Sequence, residues 1–188
     1  MTPEKEFDMA TATKTGRRTK PAPAETNGSE GAKKMTIVAW SGTLDKAWPT
    51  LILATTAAAS GMDVAVFFTF WGLRILQKNN KRITGRGFKQ RMLSIFNRGG
   101  SDHLGLSKLN MGGMGPVMMK QLAKQHKVAE PTELLQMAQD LGVKLWPCQM
   151  SLDLMGFSRD DLIDGLPETV GAATAIQRMS ESEINLFI

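Results

Sequence analysis

The sequence predicts an α/β protein built on a mostly parallel sheet of five strands. Residues 63–70 form a nearly continuous apolar run, which is typical of a strand buried on both faces. Residues 45–60, just before that run, have helical character, with Pro49 near the first turn and Gly61 after the end. Apolar runs and helical patterns continue to alternate along the chain. This alternation is typical of doubly wound parallel sheets.

The elements follow from local patterns in chain order. Short apolar or β-branched runs predict the strands, and apolar spacing with N-terminal caps and terminal glycines predicts the helices. The predicted strands are 35–40, 63–70, 143–146, 168–170 and 184–188. The predicted helices are 45–60, 71–77, 117–126, 131–140, 152–155 and 172–179.

Length and composition predict one folded domain, residues 35–188, after a disordered tail, residues 1–34. The chain has 188 residues and is 42% hydrophobic, enough for one core. The tail has seven basic and five acidic residues and almost no large apolar side chains. Its mixed charge argues against a nucleic-acid-binding arm, so no nucleic-acid partner is expected.

The composition also predicts the cellular compartment of the protein. The longest apolar stretch, 64–73, is about half of a membrane span, so no bilayer crossing is expected. A single cysteine cannot form an intramolecular disulfide, and no signal peptide is apparent. Both observations predict a cytoplasmic protein.

A basic, Gly- and Met-rich insert is predicted at about residues 74–119. Residues 72–100 include eight basic residues and no acidic one, and residues 101–119 are rich in glycine and methionine. Long segments of this kind are usually functional or mobile. The basic block is typical of a solvated face, but it would equally suit an acidic partner or peripheral contact with a membrane surface.

Cys148 is the main candidate for chemistry. It follows the predicted strand 143–146 and precedes a helical run, which places its sulfur at the carboxyl edge of the sheet, where α/β folds bind ligands. A helix N-terminus favours negative charge, and the thiolate is the nucleophilic form of cysteine. The alternative is a buried structural cysteine, since free cysteines are among the most buried residues.

Other motifs are weaker. The glycines around Gly112 lack the Lys-Ser/Thr ending of a phosphate loop, so a hinge or close-packed turn is favoured. His103 and His126 have no metal-ligand spacing with Cys148, and both are expected on the surface. Adjacency in Ser101-Asp102-His103 does not establish a base for Cys148. No metal site and no cofactor are predicted.

Several separated motifs resemble the DsrE/DsrF-like proteins, in particular the larger branch labelled DsrE-like or peroxiredoxin-like. They are Ala138 to Lys144 with Cys148 to Gly156, the Asn110 to Lys120 segment, Phe68 to Leu73, and the Leu186-Phe187-Ile188 end. The resemblance covers residues 35–188. The peroxiredoxin label fits poorly, because no second cysteine is present to resolve a sulfenic acid.

The resemblance implies a flavodoxin-like three-layer sandwich and a sulfur-carrier or sulfurtransferase-like role. Cys148 would hold sulfane sulfur as a persulfide or thiosulfonate and yield it to TusA-like or rhodanese-like partners. Such exchange needs an accessible nucleophile and little acid–base machinery. A homo-oligomer is also expected.

Two other classes of function remain open from sequence. The first is a non-enzymatic interaction module that docks through the basic, Met-rich insert, with Cys148 as a redox-sensitive spot. The second, a flavin or nucleotide binder, rests on fold analogy alone.

Overall fold

The computed structural model describes residues 31–79 and 100–188, and within these ranges it contains a parallel sheet of four strands. The strands are β1 (Lys34–Ala39), β2 (Asp63–Phe68), β3 (Lys144–Pro147) and β4 (Ile184–Phe187). They lie in the order β3-β2-β1-β4. The predicted α/β class and parallel sheet are confirmed. The order differs from the 2-1-3-4-5 order of flavodoxin, so strand connectivity departs from the flavodoxin-like expectation.

The predicted fifth strand, residues 168–170, is not present as a strand. Its last residue, Val170, forms an isolated parallel bridge with Cys148, just beyond the end of β3. The Val170 N–H donates to the carbonyl of Pro147 at 3.0 Å, and the Gln149 N–H donates to the carbonyl of Val170 at 3.1 Å. Two hydrogen bonds are too few for a ladder, so this segment lies bonded to the chain beside Cys148 but does not add a strand to the sheet.

Five α-helices connect the strands of the described chain. They are α1 (Leu44–Ala59), α2 (Met114–Gln125), α3 (Pro131–Asp140), α4 (Gln149–Met155) and α5 (Ala172–Ser180). A 3-10 helix occupies Phe70–Leu76, where sequence predicts a short helix, and shorter 3-10 turns lie at Ser101–His103, Met111–Gly113 and Arg159–Asp161. Pro131 at the first turn of α3 and the reciprocal Glu130–Glu133 capping box fix the start of that helix.

The side chains of the strands alternate between two layers of helices. Ile37, Val66 and Leu145 are fully or almost fully buried in the main core, which α1 and α3 cover. The residues that follow Ile37 and Val66, namely Val38 and Phe67, point to the opposite face, where they pack with Ala175 of α5. The chain therefore forms three layers, with one face of the sheet covered far more thinly than the other.

The described part of the basic insert is built into the domain. Leu104 is buried in the main core. The Leu44 N–H donates to the carbonyl of Gly105 at 2.8 Å, and the Ser107 N–H donates to Asp45 at 2.9 Å. Residues 104–107 thus hold the start of α1, although sequence assigns them to a separate insert. Most of the basic block lies in residues 80–99, and most of the predicted tail in residues 1–30, both outside the described ranges.

Charged side chains form ion pairs at the amino end of the sheet. The Asp63 carboxylate, at the start of β2, lies 3.0 Å from Lys144 Nζ and 2.9 Å from Arg178 Nη2. Burial alone would raise the pKa of Asp63, but the hydrogen bond from Lys144 and the charge of Arg178 outweigh it and hold that pKa below its usual value. These contacts tie β2, β3 and α5 together at the end opposite Cys148.

Across residues 31–79 and 100–188, no helix combines the length and apolar character that a membrane span requires.

Candidate functional site

Cys148 lies where sequence predicts it, between the end of β3 and the start of α4. Its N–H donates to the carbonyl of Phe68 at the end of β2, at 2.9 Å, and its carbonyl accepts the Leu152 N–H at 3.0 Å. The residue is the N-cap of α4, with extended backbone angles. Because both backbone groups are engaged, the position of the sulfur is fixed by the sheet on one side and by the helix on the other.

The sulfur is not accessible in this structure, which corrects the expectation of an exposed nucleophile. Cys148 is 1% exposed and packs in an apolar cluster on the thinly covered face of the sheet. The cluster contains Val38, Phe67, Ala175, Trp146, Val170 and Met179. The physical reason is the alternation of side chains along β3, which turns the residue after Pro147 beneath α5.

Two hydroxyl groups and a strained turn lie beside the cysteine helix. Ser151, the third residue of α4, is 3% exposed, and its Oγ lies 3.0 Å from Thr69 Oγ1. The same Oγ accepts the Phe70 N–H at 2.9 Å. Phe70 has a φ of +51°, a left-handed conformation that is rare for an aromatic residue. The end of β2 and the first turn of α4 are therefore joined through Ser151.

The left-handed turn at Phe70 bends the chain back over the end of β1. The Thr69 N–H donates to the carbonyl of Ala39, and the Gly72 N–H donates to the carbonyl of Trp40. A Cβ on Gly72 would lie 2.0 Å from the carbonyl oxygen of Ala39, so only glycine fits this approach. Such strain persists where surrounding contacts impose it, and it is often found at functional sites.

Apolar side chains are exposed at the same end of the sheet. Trp40 follows β1, Phe70 follows β2, Met150 follows β3, and Phe187 is the last residue of β4. All four are exposed, and the rings of Trp40 and Phe187 stack with centroids 6.3 Å apart. The carboxyl end of the sheet therefore presents an apolar rim above the buried sulfur.

The weaker sequence candidates do not join the cysteine. His103 ends the 3-10 turn Ser101–His103, and His126 is the C-cap of α2. Asp102 accepts hydrogen bonds from Asn79 and Thr132, which gives it a structural role in joining these two residues. Gly112 and Gly113 both have positive φ in the turn before α2, and a Cβ on either would meet nothing within 4 Å. The close packing of this motif lies instead at Gly115, where a Cβ would be 2.0 Å from the Leu109 carbonyl oxygen. Within the described ranges, no three His, Cys, Asp or Glu side chains are grouped as a metal site would require.

A family model described as "DsrE/DsrF/DrsH-like family" matches residues 31–187 of the chain. That range includes the β3–α4 junction, the turn after β2 and all four strands. The chain belongs to the DsrE/DsrF/DrsH-like family. The resemblance seen in the separated motifs is thereby confirmed.

Two relatives in this family match over nearly their whole length. A Bacillus subtilis protein, YrkE, described as uncharacterized, is 40% identical over 160 residues, which cover 85% of this chain and 99% of that protein. A protein of Allochromatium vinosum named sulfur carrier protein DsrE2 is 41% identical over 157 residues, covering 83% of this chain and 98% of that protein.

The fold also matches a solved structure. The crystal structure of the Escherichia coli protein ychN superposes with a TM-score of 0.53 at 16% identity, over 83% of this chain and 99% of that one. At this identity the match shows the fold alone.

Sequence reasoning identified Cys148 but missed Ser151, Thr69 and Phe70. The Cys-x-x-Ser spacing was a usable signal, because residues three apart at a helix start lie on one face. The left-handed turn had no such signal, since an aromatic side chain gives no reason to expect positive φ.

Proposed function

We propose that this protein is a sulfur carrier that holds sulfane sulfur on Cys148 and passes it to a thiol of a partner protein. The observation that carries the proposal is the 41% identity to the sulfur carrier protein DsrE2, over a match that spans 83% of this chain. The position of the single cysteine, at the carboxyl end of β3 and the N-terminus of α4, supports the choice of residue.

The exchange needs one nucleophilic sulfur and one leaving group. With thiosulfate, the Cys148 thiolate attacks the outer sulfur, the bond between the two donor sulfurs breaks, and sulfite leaves with the electron pair. The product is a persulfide, with the new sulfur bonded to Sγ. With tetrathionate, attack on an inner sulfur releases thiosulfate and leaves a thiosulfonate. In the transfer step the partner thiolate attacks the sulfane sulfur bonded to Cys148 Sγ, that bond breaks, and Cys148 leaves as a thiolate.

Burial of the sulfur fits storage better than rapid exchange. The apolar cluster around Cys148 excludes water and soluble oxidants from a bound sulfane sulfur. The cover on this face is α5 with the Val170 bridge, which two backbone hydrogen bonds hold beside β3. Loading and transfer both require this cover to open, either at the Val170 bridge or by movement of α5, which Arg178 also anchors to Asp63 at 2.9 Å.

The proposed partners follow from the carrier function. A TusA-like or rhodanese-like protein would accept the sulfur at the carboxyl end of the sheet, where the apolar rim lies. The basic segment would attract an acidic partner and so raise the association rate. Lys78, at the described edge of the segment, already pairs with Asp164 at 2.8 Å. The expected homo-oligomer, the peripheral membrane contact and the cytoplasmic location stay predictions.

Intact mass measurement tests the carrier function. The parent protein is incubated with polysulfide or tetrathionate, and we expect an adduct of one or more sulfur atoms, or a thiosulfonate, that dithiothreitol removes. The Cys148→Ser variant is the matched control, because it changes one atom and leaves no other cysteine in the chain. It should acquire no adduct.

Two results would contradict the proposal. One is a parent protein that takes up no sulfur from any of these donors, including after mild warming to open the cover. The other is an equal adduct on the Cys148→Ser variant. The first result would favour the interaction module, with Cys148 as a structural or redox-sensitive residue.

A further inference from the structure

The hydroxyl groups of Ser151 and Thr69 carry two donor protons, and the hydrogen bond between them uses only one. Each hydroxyl provides one donor and two acceptor positions. Ser151 Oγ lies 3.0 Å from Thr69 Oγ1, and either can be the donor. Ser151 Oγ also accepts the Phe70 N–H at 2.9 Å. Whichever hydroxyl donates within the pair, the other keeps an O–H for a further acceptor.

One of the two arrangements leaves that proton on Ser151. When Thr69 donates to Ser151, both acceptor positions of Ser151 Oγ are filled, by Thr69 and by the Phe70 N–H. The Ser151 O–H then points away from these two donors, in the third tetrahedral direction. Ser151 is 3% exposed, so water is largely excluded as its acceptor.

Cys148 lies on the same face of the helix start as Ser151. Cys148 is the N-cap of α4 and Ser151 its third residue. An N-cap side chain lies over the first turn of its helix, on the side of the third helical residue. A second sulfur bonded to Cys148 Sγ would extend by about 2 Å beyond it. It can therefore come within hydrogen-bonding distance of the Ser151 hydroxyl.

A loaded sulfur at this site needs such a donor. A persulfide ends in an anionic sulfur and a thiosulfonate in an anionic sulfonate, whereas the side chains clustered with Cys148 are apolar. A charge placed in an apolar site without a hydrogen bond is strongly disfavoured. With Cys148 only 1% exposed, solvent does not supply that bond while the cover is closed.

We propose that Ser151 is a cargo-binding residue whose hydroxyl donates a hydrogen bond to the anionic sulfur group carried on Cys148, with Thr69 and the strained Phe70 turn orienting that hydroxyl. The inference rests on the proposed carrier function and extends it to a second residue of the site. It also gives the left-handed Phe70 turn a role, since the turn directs the Phe70 N–H onto Ser151 Oγ.

The test compares the pH dependence of persulfide reactivity. Parent and variant proteins are loaded with polysulfide, freed of excess donor, and treated with iodoacetamide over a pH series, with the alkylated persulfide quantified by mass. A hydrogen bond to the charged form favours that form, so its loss moves the half-maximal pH upward. We expect Ser151→Ala to raise this midpoint by about one unit. Thr69→Val should cause a smaller rise, and Thr69→Ser should match the parent.

The control is Ser182→Ala, which breaks a similar hydroxyl pair with Thr36 (2.8 Å) at the amino end of the sheet. It should leave the midpoint unchanged, so general loosening of the fold can be distinguished from loss of the donor. Where Ser151→Ala fails to fold, Thr69→Val provides the decisive comparison with Thr69→Ser. Parent-like midpoints in both Ser151→Ala and Thr69→Val overturn the inference and leave the carrier function standing. A parent that never loads overturns both.

Discussion

The two ends of the sheet are held together by different chemistry. At the amino end, Asp63 pairs with Lys144 and Arg178, and charged groups link two strands to α5. At the carboxyl end, neutral hydroxyl groups and backbone hydrogen bonds link β2 to α4, and the cysteine is surrounded by apolar side chains. Both ends lie on the same four strands, so the difference comes from the residues that flank them.

The charged end contributes mainly to stability, and the neutral end sets the chemical environment of Cys148. Ion pairs at the amino end stabilise the domain and, through Arg178, also anchor α5, the helix that covers the sulfur. The carboxyl end tolerates a left-handed Phe70, which costs about 1–2 kcal/mol, in a turn that packs against α4. We expect substitutions at the amino end to change the free energy of unfolding and the opening of α5, and substitutions at the carboxyl end to change the local environment of Cys148 as well.

The largest expected effect is the protection of Cys148 in the native protein. Because the side chain is 1% exposed, alkylation requires local opening of the cover. We expect iodoacetamide to react about 100-fold more slowly with the native protein than with the protein in urea, which corresponds to an opening free energy of a few kcal/mol. Quenched samples analysed by intact mass give both rates. Equal rates would mean that the thiol is exposed in solution, as sequence alone suggested.

Adding a methyl group at Gly72 should disrupt the packing at the carboxyl end of the sheet. The new Cβ would lie 2.0 Å from the Ala39 carbonyl oxygen, so the turn after β2 must move. We expect Gly72→Ala to lower the free energy of unfolding by about 3 kcal/mol or more and to speed alkylation of Cys148. Urea denaturation measures the first quantity.

Gly171→Ala is the matched control for this substitution. Gly171 has an ordinary φ of −88°, and a Cβ there meets nothing within 4 Å. Its effect should stay within about 1 kcal/mol. A similar loss of stability in both variants would show that the close approach of Gly72 to β1 is not tight.

A smaller effect is expected at the amino end. Asp63→Asn removes the charge that Lys144 and Arg178 share, and should cost about 2 kcal/mol of unfolding free energy near neutral pH. Since the folded-state pKa of Asp63 lies below its ordinary value of 3.8, its contribution is present above that pH and is lost as the pH falls through the folded-state value. The cost of the substitution should therefore shrink in acid.

Urea titrations at neutral and acidic pH measure this dependence, and alkylation of Cys148 should become faster, because the Asp63–Arg178 pair anchors the helix that covers the thiol. Asp164→Asn is the control, because Asp164 is 93% exposed and its pair with Lys78 should contribute little. A parent-like Cys148 rate in Asp63→Asn would show that the cover opens at the Val170 bridge without movement of α5.

Sequence predicted the sheet well where the pattern is long and apolar. The continuous run of β2 and the capped helix at Pro131–Asp140 are in place. The strand predicted at 168–170 was wrong, because a run of three residues cannot show whether a neighbouring strand offers a full ladder of hydrogen bonds. The position of Cys148 along the chain was predictable from the strand–helix junction. Its burial was not, since burial depends on which face α5 covers, a tertiary contact between residues far apart in sequence.

The pairing of β4 with β1 also sets when this fold can be completed. Lys34 and Glu183, which join the two strands at their amino ends, are separated by 149 positions. Contacts between such distant residues form late and slow the folding of a chain. Until β4 arrives, one edge of β1 has open backbone groups, and α5 cannot settle over Cys148. During synthesis the thiol therefore stays uncovered until α5 and β4 are in place, and a nascent chain would depend on a reducing environment or on chaperones to keep Cys148 intact until then.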